Sequence, residues 1–105
     1  MNDIQELTKK CRQVMDKYQI DFPDVKIDRD YLPFKIAEEF GELTQTYLML
    51  TDRGRQKGKS KEQIQEMMRD EFADMFAYLL LFAEDEGIDP AEALEKKWFK
   101  YIEKA

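Results

Sequence analysis

The sequence predicts an all-α domain, and three observations carry that expectation. Apolar residues recur at alternating +3 and +4 steps along most of the chain, no run alternates with period two over strand length, and helix-cap signals separate the periodic segments. A length of 105 residues suits one domain, 1–105, arranged most simply as a four-helix bundle. No internal repeat is evident at spacings of about 20–50 residues.

The elements follow in order. Ile4, Leu7, Cys11, Val14 and Tyr18 form the apolar stripe of a first helix. It ends before Asp21-Phe22-Pro23, because proline disfavours helical geometry in the residue ahead of it. A mixed linker runs through about residue 29. Asp30 is the expected N-cap of a second helix, with Pro33 tolerated in its first turn, and that helix extends to about residue 51. The stretch Asp52-Arg53-Gly54-Arg55-Gln56-Lys57-Gly58-Lys59 holds two glycines and four cations, which predicts a solvated loop. Ser60-Lys61-Glu62-Gln63 has capping-box spacing and opens a third helix that stops at Gly87. Asp89-Pro90-Ala91-Glu92 supplies an N-cap, a proline at the first helical position and an acid in the first turn. The fourth helix then carries Ala93, Leu94, Trp98, Tyr101 and Ile102 to the end of the chain.

Composition narrows function. Seventeen Lys and Arg against 23 Asp and Glu leave a net charge of −6, so a phosphate backbone would be repelled and nucleic acid is not an expected partner. The chain has no histidine, which removes Ser-His-Asp and Cys-His nucleophile systems, His-rich zinc sites and the Glu-x-x-His pairs of di-iron bundles. One cysteine, Cys11, cannot close an intrachain disulfide, and a reducing cytoplasm is the expected compartment. The longest apolar run, 75–83, has nine residues against the roughly 20 needed to span a bilayer, so no membrane partner is expected. Asp3 and Glu6 stand where a signal peptide would be apolar, so none is expected.

The second and third helices each carry two parallel seams. On the second, Ile36, Phe40, Leu43, Tyr47 and Leu50 form the expected core seam, and Lys35, Glu39, Glu42, Thr46 and Met49 run beside it. On the third, Met68, Phe72, Met75, Leu79 and Phe82 are flanked by Met67, Glu71, Asp74, Tyr78 and Leu81. Residues three apart share a helix face, so Glu39 with Glu42 and Glu71 with Asp74 converge if the helices pack antiparallel. Either pair alone is ordinarily a solvated face. Together within apolar-flanked seams, four mutually repelling acids call for a counter-charge, and Arg69, the one cation within 67–81, falls elsewhere on the wheel. Oxygen ligands without His or Cys favour Mg²⁺, Mn²⁺ or Ca²⁺ over zinc or copper.

Glu38-Glu39-Phe40-Gly41-Glu42-Leu43 followed by Asp70-Glu71-Phe72-Ala73-Asp74 resembles the EExxE and ExxD motifs of the MazG-like, all-α nucleoside triphosphate pyrophosphohydrolases. The stretch Gly87-Ile88-Asp89-Pro90-Ala91-Glu92-Ala93-Leu94 is similar as well, and the likeness covers about residues 31–101. It implies a house-cleaning enzyme that cleaves the α–β phosphoanhydride of a (deoxy)nucleoside triphosphate, giving a monophosphate and pyrophosphate. It also implies metal ligation by Glu39, Glu42, Glu71 and Asp74, with Mg²⁺ as cofactor and Mn²⁺ as its substitute. Glu38 is the extra acid, about 40° from Glu42 and about 100° from Glu39 on the wheel. Its candidate roles are catalytic, orienting or deprotonating the attacking water, or completing a second metal site; an exposed helix glutamate is the plain alternative. A phosphoribosyl-ATP pyrophosphohydrolase is a sibling reading, and a catalytically silent helical interaction module is the rival from another class.

Supporting residues have competing roles. Lys35, one turn before Glu39, is a candidate phosphate or Glu39 contact, or a surface ion pair. Lys97 and Tyr101 lie where the resemblance implies substrate contacts, although Trp98 stands where the family carries Asn, which suits core or interface better. Arg53, Arg55, Lys57 and Lys59 either gather outer phosphates or are simply solvated. Tyr31, Phe34 and Tyr47 either stack on a base or, for Phe34 and Tyr47 above all, pack. Cys11 sits in an apolar seam and is expected to be inert. The apolar surface exceeds what one small core covers, and a homodimer or homotetramer is expected, as the resemblance also implies.

Overall fold

Local cap chemistry sets most of the helix boundaries in the computed structural model, which describes residues 3–102. The helices are α1 (Asp3–Asp21), α2 (Tyr31–Leu50), α3 (Lys61–Asp85) and α4 (Pro90–Lys97), followed by a 3-10 turn, Phe99–Tyr101. No strand occurs among the described residues, so the chain is all-α. No helix among them is long and apolar enough to cross a membrane.

The α3 cap is the reciprocal box its sequence predicts. The Gln63 backbone N–H donates to Ser60 Oγ at 3.1 Å, and Gln63 Oε1 accepts from the Ser60 N–H at 2.8 Å. Asp89 caps α4 by accepting from the Glu92 N–H at 3.1 Å, with Pro90 leading the helix. Between them, Gly87 adopts a φ of +69°, the left-handed geometry that ends a helix without a Cβ penalty. Asp30 does occupy the N-cap position of α2, but its side chain makes no cap bond. Asp28 works one step earlier instead, its Oδ1 accepting from the Asp30 N–H at 3.1 Å.

The fourth helix is shorter than its periodicity suggests. Trp98 leaves ideal helical φ at −111°, and the chain tightens into i→i+3 bonds, Tyr101 N–H to Trp98 O and Ile102 N–H to Phe99 O, both 3.1 Å. The expected continuation to the last residue falls on 103–105, outside the described residues.

Two compact units divide the chain, Met1–Lys26 with Leu79–Ala105, and Ile27–Tyr78. In the first, Met15, Leu80, Leu81 and Ala83 are buried, and Arg12 of α1 bridges to Glu84 and Asp85 of α3. In the second, α2 and α3 run antiparallel. Tyr31 lies against Tyr78 with ring centroids 6.4 Å apart, and Met49 and Leu50 near the other end of α2 accept from Lys61 Nζ at the start of α3. The buried residues here are Leu32, Glu39, Thr46, Met49 and Ile64.

This last set corrects the expected core. The apolar seam of α2 is turned outward, with Phe40 59% and Tyr47 52% exposed, and that of α3 follows with Phe72 at 55%. The flanking seam, the one interrupted by acids, faces inward: Glu39 is only 6% exposed. Both seams carry enough apolar residues to pack, and the inward one supplies Leu32 and Met49 as buried anchors. Alpha1 shows the same one-residue offset, burying Met15 while Leu7, Val14 and Tyr18 of its stripe stay exposed. Trp98, expected in core or interface, is likewise largely exposed within this chain, as is Phe34.

Candidate functional site

Antiparallel α2 and α3 bring the two acidic pairs together, as their i, i+3 spacing requires. Glu39, Glu71 and Asp74 each offer a carboxylate oxygen, and these oxygens lie within 4.8 Å of one another. A second trio, Glu38, Glu39 and Glu42, meets the same distance and shares Glu39. All five sequence-nominated acids therefore belong to one centre, with Glu39 at its middle.

One distant cation, Lys35, is the ion-pair partner that Glu39 has among the described residues. Glu39 Oε1 lies 3.9 Å from Lys35 Nζ, whereas Glu39 Oε2 and Glu71 Oε2 are buried without a hydrogen-bond partner among the described residues. Burial pushes the Glu39 carboxyl up to about 7, and the neighbouring Glu71 and Glu42 add to the shift. Glu71 is raised for the same first reason, burial, with Glu42 next. Asp74 is raised by burial and by repulsion from Asp70 and Glu42, against a small opposing pull from Lys35.

Lys35 meets both readings of the sequence, pairing most closely with Glu38 and lying 3.9 Å from Glu39 Oε1. Its ammonium pairs with Glu38 Oε1 and sits 5.8 Å from the centre of the Tyr78 ring, and the Glu38 bond holds its pKa above the usual lysine value. Tyr78 is itself pushed up to about 12 by burial, with Tyr31 adding to the shift. Arg69 pairs with Glu66 at 3.0 Å on the exposed side, which leaves the acids without a guanidinium.

At the loop end of α2, a cavity of about 520 Å³ opens from Glu42 and Glu71 toward Arg55 and Lys57, over Thr46 and Met49. Thr46 in this lining and Tyr78 beside Lys35 are residues near the acids to which sequence reasoning assigned no functional role. Their positions on the acid seams, one turn beyond Glu42 and Asp74, were the available signal.

Lys97 and Tyr101 belong to the other unit. Lys97 closes α4 and is exposed, and the exposed Tyr101 ring has Lys100 Nζ 5.2 Å from its centre. Comparison of the chain with protein families, curated proteins and solved structures returned no match.

Proposed function

We propose that this chain is a Mg²⁺-dependent nucleotide pyrophosphohydrolase of the MazG-like type, cleaving a (deoxy)nucleoside triphosphate to monophosphate and pyrophosphate. The observation that carries the reading is the pair of buried, unpartnered oxygens, Glu39 Oε2 and Glu71 Oε2, in a cluster of like charges. Such an arrangement costs several kcal/mol unless a cation completes it, and all-oxygen donors suit a hard divalent ion. Glu39, Glu42, Glu71 and Asp74 would hold the metal. When bound it would neutralise phosphate oxygens and lower the pKa of a coordinated water.

The chain's own groups divide the remaining work. Glu38 is exposed and fixed by Lys35, a placement that suits a base for the attacking water. The water oxygen bonds to the α-phosphorus, its proton passes to Glu38, and the bond from the α-phosphorus to the bridging oxygen breaks. Pyrophosphate leaves with that oxygen.

The outward apolar seam supports a homodimer or homotetramer. Phe72 and Phe76 stack on each other with centroids 5.8 Å apart, and a cavity of about 580 Å³ lined by Leu43, Tyr47, Met68 and Phe72 lies open beside them. A second copy covering this face would complete the bundle that one chain leaves half-dressed. The proposal places the enzyme in the cytoplasm, in keeping with its single cysteine.

Pyrophosphate release from a panel of nucleotides, phosphoribosyl-ATP included, tests the activity with and without Mg²⁺. Metal-dependent release from a nucleoside triphosphate is expected. No turnover on any member, together with no rise in melting temperature on adding Mg²⁺, would leave a silent helical interaction module.

A further inference from the structure

Four loop cations stand at the end of α2, and two of them, Arg55 and Lys57, line a cavity. Lys61 is consumed by the carbonyl of Leu50 at 2.9 Å and by Asp52, Lys35 by Glu38, and Arg69 by Glu66. Arg55 and Lys57 line the cavity that also holds Glu42 and Glu71, and neither forms an ion pair among the described residues. Opposite charges that share a cavity and do not collapse onto one another are being held apart by the backbone that carries them.

That backbone is pinned. The N–H groups of Arg53 and Gly54 both donate to Leu48 O, at 2.8 and 3.1 Å. The Gln56 amide donates to Met49 O at 2.6 Å and to Gly54 O at 3.2 Å. Asp52 and Lys57 take left-handed φ values of 62° and 55°, and Gly58 follows at 76°. The loop therefore spends its hydrogen bonds on shape, and presents Arg55 and Lys57 from either side of the anchored Gln56.

Along α2 the acids lie between Lys35 and this loop, and Glu42 to Met49 spans about 10 Å of helix. A nucleotide gripped at its α–β linkage by the acidic centre would have one end toward Lys35, Tyr31 and Tyr78, and the other toward Arg55 and Lys57. We propose that the cavity lined by Glu42, Glu71, Arg55 and Lys57 seats the pyrophosphate end of the substrate, and hence the departing pyrophosphate. A diphosphate carries more negative charge than one divalent ion cancels, and the two cavity-lining cations on a fixed loop answer the remainder. This inference rests on the pyrophosphohydrolase reading for the identity of the ligand, but its test separates the two.

Calorimetric titrations would use inorganic pyrophosphate with Mg²⁺, and in parallel a nucleoside monophosphate with Mg²⁺. The chains compared are the unsubstituted protein, the double variant Arg55→Gln with Lys57→Asn, and Lys59→Gln as a loop control outside that lining. Asparagine is chosen because it tolerates the left-handed backbone at position 57. Pyrophosphate affinity should fall about tenfold or more in the double variant, with monophosphate affinity and the control little changed. The KM for the triphosphate should rise alongside. Equal pyrophosphate affinity in the double variant and the unsubstituted chain, or no pyrophosphate binding by the latter, overturns the proposal. A chain that hydrolyses no nucleotide yet loses pyrophosphate affinity in the double variant would remove the enzymatic reading and keep this seat.

Discussion

The two compact units handle paired acids in opposite ways. In the unit built on α1, Glu84 and Asp85 meet the Arg12 guanidinium, with Nε 2.7 Å from Glu84 Oε1 and Nη2 2.7 Å from Asp85 Oδ1. Burial works against the Arg12 charge, but Glu84 and Asp85 outweigh it and raise its pKa. In the other unit, Glu71 and Asp74 meet further acids, and two of the oxygens go unanswered. The same helix, α3, carries both pairs. With 17 Lys and Arg in the chain, the want of a cation at the second pair is a matter of placement, not of supply. This contrast, acids answered at one position and two buried oxygens unanswered at another, is what the proposed cation site rests on.

The contrast can be broken most completely at Glu71. Glu71→Ala should reduce pyrophosphate release by at least ~10²-fold while circular dichroism stays helical, since the substitution relieves crowding and opens no core contact. A variant with near-normal turnover would take Glu71 out of the site.

A second, smaller effect follows from pH. The Glu39 carboxyl sits at about 7 in the folded chain against an ordinary 4.5, so the folded state holds its proton more tightly than the unfolded state does. The resulting stabilisation is full below about 4.5 and is lost as pH climbs through about 7. The metal-free protein should therefore melt several degrees lower at pH 8 than at pH 5, and Mg²⁺ should recover more of that loss at pH 8. Identical melting at both values would mean that Glu39 is solvated.

The proposed homodimer or homotetramer should sediment as such for the unsubstituted chain, and Phe72→Glu, which places a charge on the outward seam, should sediment as a monomer with the fold kept. Unchanged sedimentation would move the subunit contact elsewhere. The mildest case is Arg12→Ala. Its ion pairs are partly exposed, with Arg12 at 29% and its partners at 45%, so the loss should be about 1 kcal/mol or less, shrinking with salt. Hydrolysis should not respond at all.

What the residues disclosed and what they withheld divides along the range of the interactions involved. The Ser60 and Asp89 caps, the Gly87 stop and the convergence of Glu39, Glu42, Glu71 and Asp74 depend on neighbours within one helical turn or on antiparallel pairing, and each was legible. Which of two seams faces inward was not. Phe40, Tyr47 and Phe72 are more apolar than Glu39, Thr46 and Glu71, yet the latter row turns inward, with Leu32 and Met49 buried along it. Transfer energies of single side chains cannot foresee that, since the choice is made by the whole interface. Which of the two Lys35 pairs is the shorter was not legible either, because wheel geometry admits Glu39 at i+4 as readily as Glu38 at i+3.

The orphaned oxygens on Glu39 and Glu71 bear on the lifetime of the molecule in a cell. Each such group costs about 1–3 kcal/mol, against a total folding margin of about 5–15 kcal/mol for a domain. If a cation completes this centre as proposed, copies without it open more often, and degradation machinery acts on opened chains. Abundance would then follow the local store of free cation, so that starving the compartment of it thins the population before any chemistry is measured.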